Sequence, residues 1–402
     1  MISPNLHTPC GAVDNPHGAD WLYPTWRNLK VQRPAKYAIA AFLATFVSLA
    51  VSHAEAASRQ YADVAWQQLG VAGFGDKQNT SVLPFVLDGK LFVSTFNSAS
   101  GTQVIRFSDP FSWTTVITDG FGSSDNRWIG SVESISDTIY VGLENLVSGG
   151  EIWRTDDGTQ WTQVMTHGFG VPTNTYVIDF EVVSGTLYAG TRNDGGGQVW
   201  RSSDGAQWSR VNLGGFGAWN WGVYSLAAFQ GRIYAGTGNS FGGSIWRSSN
   251  GADWTQGIAG GFNDAGNSTI YRMIVFDDWL YAATHNSATG VEVWRTPNGI
   301  DWSQANIDGF GESSNIGARS LFVFGGELHV GLRNDLTGGA IWKTTNGVDW
   351  TQATPKGFGN TQNVTVWGMA EHNGELIVGT MNALGGQLWR QTHLTMLPML
   401  RR

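Results

Sequence analysis

The pair Gly-Phe recurs seven times at intervals of 46 to 48 residues, and this period constrains the fold more than any other feature. Its phenylalanines are Phe74, Phe121, Phe169, Phe216, Phe262, Phe310 and Phe358. A tryptophan stands eight residues before each: Trp66, Trp113, Trp161, Trp208, Trp254, Trp302 and Trp350. A period of this length marks one supersecondary unit packed on copies of itself, because a single unit cannot bury its own apolar face. Each unit divides into four short strand signals, A to D, separated by turn residues. After Gly-Phe comes a polar stretch with one Asn (79, 126, 174, 220, 267, 315, 363), then an apolar strand A such as "YSLAAF" and a tight turn. Strand B follows, for example "LYAGT", and ends at a second Asn (97, 145, 193, 239, 286, 334, 382). The "GGxIWR" strand C and the Trp strand D complete the unit.

Four strands repeated seven times predict an all-β fold, a seven-bladed β-propeller with four antiparallel strands per blade. The chain ends favour this over an open solenoid. The seventh unit stops after "LWRQT" at Thr392 with no strand D, while the chain opens with an unpartnered D strand at Val64 to Gln68. The N-terminal strand is therefore expected to lie beside Gln387 to Arg390 and to close the last blade. Composition agrees: 54 Gly and 20 Trp with only 14% charged residues are rich in turn formers and aromatics and poor in surface-helix residues.

In the turn between strands C and D, Asn250-Gly251 reads as a two-residue type I′ hairpin, which needs φ > 0 at both central residues. That register sets Arg247 opposite Trp254, and likewise Arg295 opposite Trp302, as stacked cross-strand pairs. At these residues the chain resembles the bacterial neuraminidase repeat, or Asp-box, propellers, whose signature is Ser/Thr-x-Asp-x-Gly-x-x-Trp. The matching segments are "TDDGTQW", "SSDGAQW", "SSNGADW", "TPNGIDW" and "TTNGVDW", in five of seven units. All five depart from the signature by placing Gly directly after Asp or Asn. The resemblance covers Tyr61 to Thr392 and implies a propeller whose boxes are folding elements remote from any active site.

Three parts of an export signal precede the repeats: Lys30, Arg33 and Lys36, an apolar run from Tyr37 to Val51, then Ala54-Glu55-Ala56. Residues 1–56 read as a leader, 61–392 as the propeller and 393–402 as a short tail. The expected location is secreted, periplasmic or cell-surface. The one cysteine, Cys10, falls in the leader, so the mature fold is expected to be held by packing alone. A net charge of −8 offers no basic field, which argues against nucleic acid and against membrane contact beyond the export signal.

Most tryptophans belong to the repeat, so the site candidates are those that do not. Trp128, Trp219, Trp221 and Trp367 lie on the D to A connection or the start of strand A, at the rim where propeller loops converge. Their faces suit sugar rings. In strand A, one aligned position reads Leu83, Ser131, Asp179, Ser225, Arg272, Ser320, Gly368, and two residues on come Glu133 and Glu181 among small or apolar residues. Simple alternation puts these two positions on one side. Glu133, Asp179, Glu181, Arg272 and, one residue earlier in its strand, Arg319 are thus charged exceptions. An internal ion network is the first explanation, and an acid/base pair for glycoside hydrolysis the second. The two Asn series are expected to be turn fasteners. The histidines are scattered, with no metal-ligand spacing, and no cofactor motif is present. These residues point to a binding module whose rim takes carbohydrate or an extracellular protein. The alternatives are a sialidase-like hydrolase, with Arg127, Arg272, Arg319, Tyr271, Glu133 and Asp179 in the catalytic roles, and an adhesion scaffold without a small ligand.

Overall fold

The computed structural model of the protein describes residues 64–393 apart from 213 and 218. The leader 1–56, its apolar run 37–51, residues 61–63 and the tail from 394 lie outside the described residues. No helix among the described residues is long and apolar enough to cross a membrane.

The described chain is all-β: 28 strands, numbered β1 to β28 in chain order, joined by antiparallel pairing. β1 (Val64–Leu69) stands alone at the start, and the others follow in sets of four, the last holding three. The A strands are β2 (Ser81–Leu87), β6 (Asn126–Ile135), β10 (Tyr176–Val183), β14 (Asn220–Phe229), β18 (Thr269–Phe276), β22 (Gly317–Phe324) and β26 (Thr365–His372). The last set ends with β27 (Glu375–Met381) and β28 (Leu388–His393). β1 pairs with β28 over its full length, from Val64↔His393 to Leu69↔Leu388. The end of each B strand also touches the start of the next A strand, as at Arg333↔Thr365 and, between β27 and β2, Ser81↔Met381.

All seven Gly-Phe phenylalanines sit in the left-handed region, with φ between 55° and 65°. A bulky residue there costs about 1–3 kcal/mol. The offset is visible in the packing. Phe310 stacks on Trp342 of strand C at 5.0 Å and meets Trp350 of strand D edge-on at 5.4 Å. The same sandwich holds Phe121, Phe169, Phe216 and Phe262. In the last set Phe358 lies between Trp389 and Trp66, each at 5.1 Å, so β1 supplies the tryptophan that a fourth strand would have carried.

The two Asn series fasten this turn from below. Asn315 donates to the Gly309 carbonyl at 2.8 Å and accepts from Asn334 at 2.9 Å, while Asn334 accepts the backbone N–H groups of Leu336 and Thr337. A buried Asn–Asn bond of this kind joins the two loops in all seven sets. Their shared geometry bears out the expected role as fasteners, since each amide is consumed by its neighbours.

The C to D turn differs from expectation. Asn250 does not have positive φ, and the loop spans six residues between β16 (Ile245–Ser248) and β17 (Thr255–Ile258). Asn250 Oδ1 accepts the N–H groups of Ala252 and Asp253, which winds the loop around the side chain rather than into a type I′ turn. Arg247 therefore pairs with Thr255, not Trp254. Its guanidinium reaches the next set and donates to the Gly299 carbonyl at 3.1 Å. Arg295 likewise lies over Trp279, 4.3 Å from the ring, not over Trp302. The box glycine is needed for contact as well as for φ. A Cβ on Gly299 would fall 1.8 Å from the Tyr234 hydroxyl of the preceding set, and Gly205, Gly251 and Gly347 meet Tyr140, Tyr188 and Tyr281 in the same way.

Seven hydrophobic clusters fill the spaces between neighbouring sets. At the seam between last and first, Ile377 and Leu388 pack with Val82, Val93 and Ile105. Here the tyrosine–glycine contact is missing: Ile377 stands at the tyrosine position and Pro110 near the glycine position. A cavity of about 390 Å³ remains, lined by these two, Lys90, His372 and Arg390 among others. Trp66→Ala is expected to lower unfolding free energy in urea by about 3 kcal/mol. Trp350→Ala, its counterpart one set earlier, should cost a similar amount.

Candidate functional site

Six of the seven A strands carry a β-bulge at one equivalent residue. The register shifts between Ile129 and Ser131, Val177 and Asp179, Val223 and Ser225, Ile270 and Arg272, Ala318 and Ser320, and Val366 and Gly368. The extra residues are Gly130, Ile178, Tyr224, Tyr271, Arg319 and Trp367. A bulge re-aims side chains and breaks strict alternation, so residues that sequence parity sends to opposite sides share one interior. Past the bulge the register is unbroken, so Asp179 and Glu181 alternate onto one side as expected, and the bulge explains how Arg319, one residue out of step, still reaches the site. β2 has no bulge and runs in plain register past Pro84.

Two cavities result. The first, about 310 Å³, lies toward the B to C and D to A loops and is lined by Trp128, Tyr176, Tyr224, Tyr271, Arg192 and Arg333, with Glu144 and Phe96 at its side. The second, about 490 Å³, lies toward the A to B turns and is lined by Glu133, Asp179, Ser131 and Glu371. Arg272, Arg319 and Trp367 line both, forming a shared wall. Of the four rim tryptophans, Trp128 and Trp367 meet at 4.4 Å in the first cavity. Trp221 is turned aside, its indole N–H donating to the Tyr224 hydroxyl at 3.2 Å. Trp219 stands apart, 67% exposed beside Phe241.

Sequence reasoning passed over Glu144, Arg192 and Arg333. A signal was available: the residue just before the second Asn is Phe96, Glu144, Arg192, Gly238, His285, Arg333 and Met381 in turn, changing at every step inside a nearly constant strand. Five of these seven line the first cavity.

Charges in the site are only partly matched. Arg272 lies 3.9 Å from Asp179 and donates to the Tyr224 carbonyl at 2.9 Å, while Asp179 accepts the Leu226 N–H at 2.8 Å. Arg127 pairs with Glu144 at 3.0 Å. Burial raises Asp179 to about 6 even with Arg272 beside it. Burial, then the nearby Asp179 and Glu133 carboxyls, raises Glu181 to about 8. Glu133 is also raised, by burial first. The expected ion network is thus real at Asp179 and Arg272, whereas neither Glu133 nor Glu181 forms an ion pair with any described residue. On the other side of the wall, burial and then Arg319 and Arg333 push His285 down to about 4, so it is neutral at pH 7. No group of His, Cys, Asp or Glu among the described residues has the geometry to hold a metal ion.

The raised Glu181 gives a stability signature. Folded Glu181 keeps its proton to about pH 8, whereas the unfolded group releases it near 4.5. Between those values the folded state binds more protons, so stability is greatest on the acid side of the window and falls as pH rises through it. Thermal melts should show Tm declining from pH 5 to pH 8, with Glu181→Gln flattening that decline.

No protein-family model matches the chain, and no curated protein matches it. Among solved structures, it is similar to the extracellular domain of a putative hybrid two-component system from Bacteroides thetaiotaomicron. That likeness has 12% identity and a TM-score of 0.54, covering 81% of this chain and 41% of that one. The chain thus spans about two fifths of that structure's length, and the likeness extends to the fold alone. A second, a structural-genomics protein of unknown function from B. thetaiotaomicron VPI-5482, aligns at 10% identity and a TM-score of 0.44, over 82% of this chain and 96% of that one.

Proposed function

We propose that this protein is an exported, seven-bladed β-propeller of the Asp-box kind that binds saccharide in the cavity beneath its B to C loops. The propeller reading is supported by the seven like sets, by β1 completing the last of them, and by the contact of β27 with β2. A sugar reading rests on one observation: Trp128 and Trp367 form an aromatic wall in a concave site that also holds three tyrosines and several arginines. Apolar ring faces against C–H groups, with a few polar groups fixing orientation, are what a small-ligand pocket of this size provides.

A hydrolase is the second reading, favoured by the raised carboxyls of Glu133, Asp179 and Glu181. Against it, Tyr271 and Glu133 line different cavities, so the tyrosine and acid that a sialidase-like mechanism would pair are not in one space. Calorimetric titration across a glycan panel should find a ligand whose affinity falls at least about tenfold, roughly 1.4 kcal/mol, in Trp128→Ala and is unchanged in Trp219→Ala. Turnover of a fluorogenic glycoside, lost in Glu133→Gln, would instead favour the hydrolase.

A further inference from the structure

Each arginine around the first cavity has an acid beside it except one. Arg192 is 3.7 Å from Asp194, Arg333 makes a fork to Asp335 at 2.8 and 2.9 Å, Arg272 has Asp179, and Arg127 has Glu144. Arg319 makes no ion pair and no hydrogen bond with any described residue, and its Nε is enclosed without an acceptor. Its guanidinium instead lies over aromatic rings, 3.9 Å from the Tyr271 centroid and 5.1 Å from that of Trp367. Ring faces attract a cation but offer no lone pairs in the guanidinium plane, so the donors of Arg319, which borders both cavities, have no acceptor among the described residues.

Arg319 is a partly enclosed charge without a counter-ion, which is unfavourable, and burial accordingly pushes its pKa down. We propose that Arg319 receives the carboxylate of an acidic sugar, which makes the ligand class a uronic acid or uronate oligosaccharide. This rests on the saccharide reading above and adds the charge of the ligand. A planar guanidinium fixed by two aromatic rings matches a planar carboxylate in a two-bond fork. The charge balance is one to one, since the other arginines are already matched. Tyr224 already accepts from Trp221 and keeps its own hydroxyl hydrogen for a ligand oxygen. At about 310 Å³ the space lies at the lower end of small-ligand pockets and suits one or two sugar rings.

The test is calorimetry at pH 7 with galacturonic acid and its oligomers, the matching neutral galactose compounds, and inorganic phosphate. The acidic sugars should bind on the order of 10- to 100-fold more tightly than the neutral ones, the range for a hydrogen bond to a charged partner. Arg319→Leu should erase that preference while raising the Tm of the unliganded protein, because a desolvated charge has been removed. A merely structural arginine would lower it. Arg319→Lys, which keeps the charge without the fork, should also lose at least tenfold and serves if the leucine variant does not fold. Equal affinity for acidic and neutral sugars would overturn the carboxylate assignment and leave the saccharide reading standing. Phosphate binding as tightly as the uronates would overturn it as well, and no binding of any sugar would remove both.

Discussion

Everything else in this molecule depends on a phenylalanine held in a backbone conformation that it would not choose. The left-handed turn at each Gly-Phe sends the chain from one set of strands to the next, and the ring that makes the turn possible is clamped by two tryptophans in six sets and by Phe107 and Trp113 at Phe74. The Asn–Asn bond then ties that connection to the loop closing strand B. Because both anchors are local, the start of strand A is placed the same way in every set, and in six of them the bulge that follows presents its own extra residue, from Gly130 to Trp367. Scaffold and site are therefore separable. Tryptophan, phenylalanine and asparagine fix geometry, while Tyr271, Arg319 and Trp367 occupy positions whose identity the frame does not dictate.

The interior is polarised across a thin wall. On one side lie arginines and tyrosines, on the other carboxyls that burial drives toward their protonated forms. Arg272 belongs to both, linked to Asp179 and to the Tyr224 carbonyl. Protonation of the acids and occupancy of the arginine side thus act on a common residue.

Much of the fold was legible in the sequence because period, turn residues and aromatic spacing are properties of the chain itself. The D-type segment containing Trp66, which stands ahead of the first full unit in the sequence, predicted the pairing of β1 with β28, and the two lie side by side. The site was less legible. Parity along a strand cannot reveal a bulge, since the extra residue leaves no gap in the sequence, so Tyr224 and Ile178 were not recognised as site-facing. The C to D turn misled for another reason: Asn-Gly suits a type I′ hairpin by propensity, yet at Asn250 the side chain captures two downstream N–H groups and lengthens the loop. That lengthening carries Arg247 into contact with the next set instead of its own tryptophan. Among the tryptophans, Trp128 and Trp367 reached the site, whereas Trp219 did not, because its place on the outer loop leaves it in solvent.

The seam beside Ile377 and Pro110 has a mechanical meaning. Five junctions, from Phe92 under Gly158 to Tyr281 under Gly347, are wedged by an aromatic ring under a glycine, but this one leaves a notch, and β1 beside it is attached by strand pairing to β28 alone. The last set is thus closed by hydrogen bonds and packing where the other sets have a covalent C to D turn, and separation of β1 would bare the Phe358 ring.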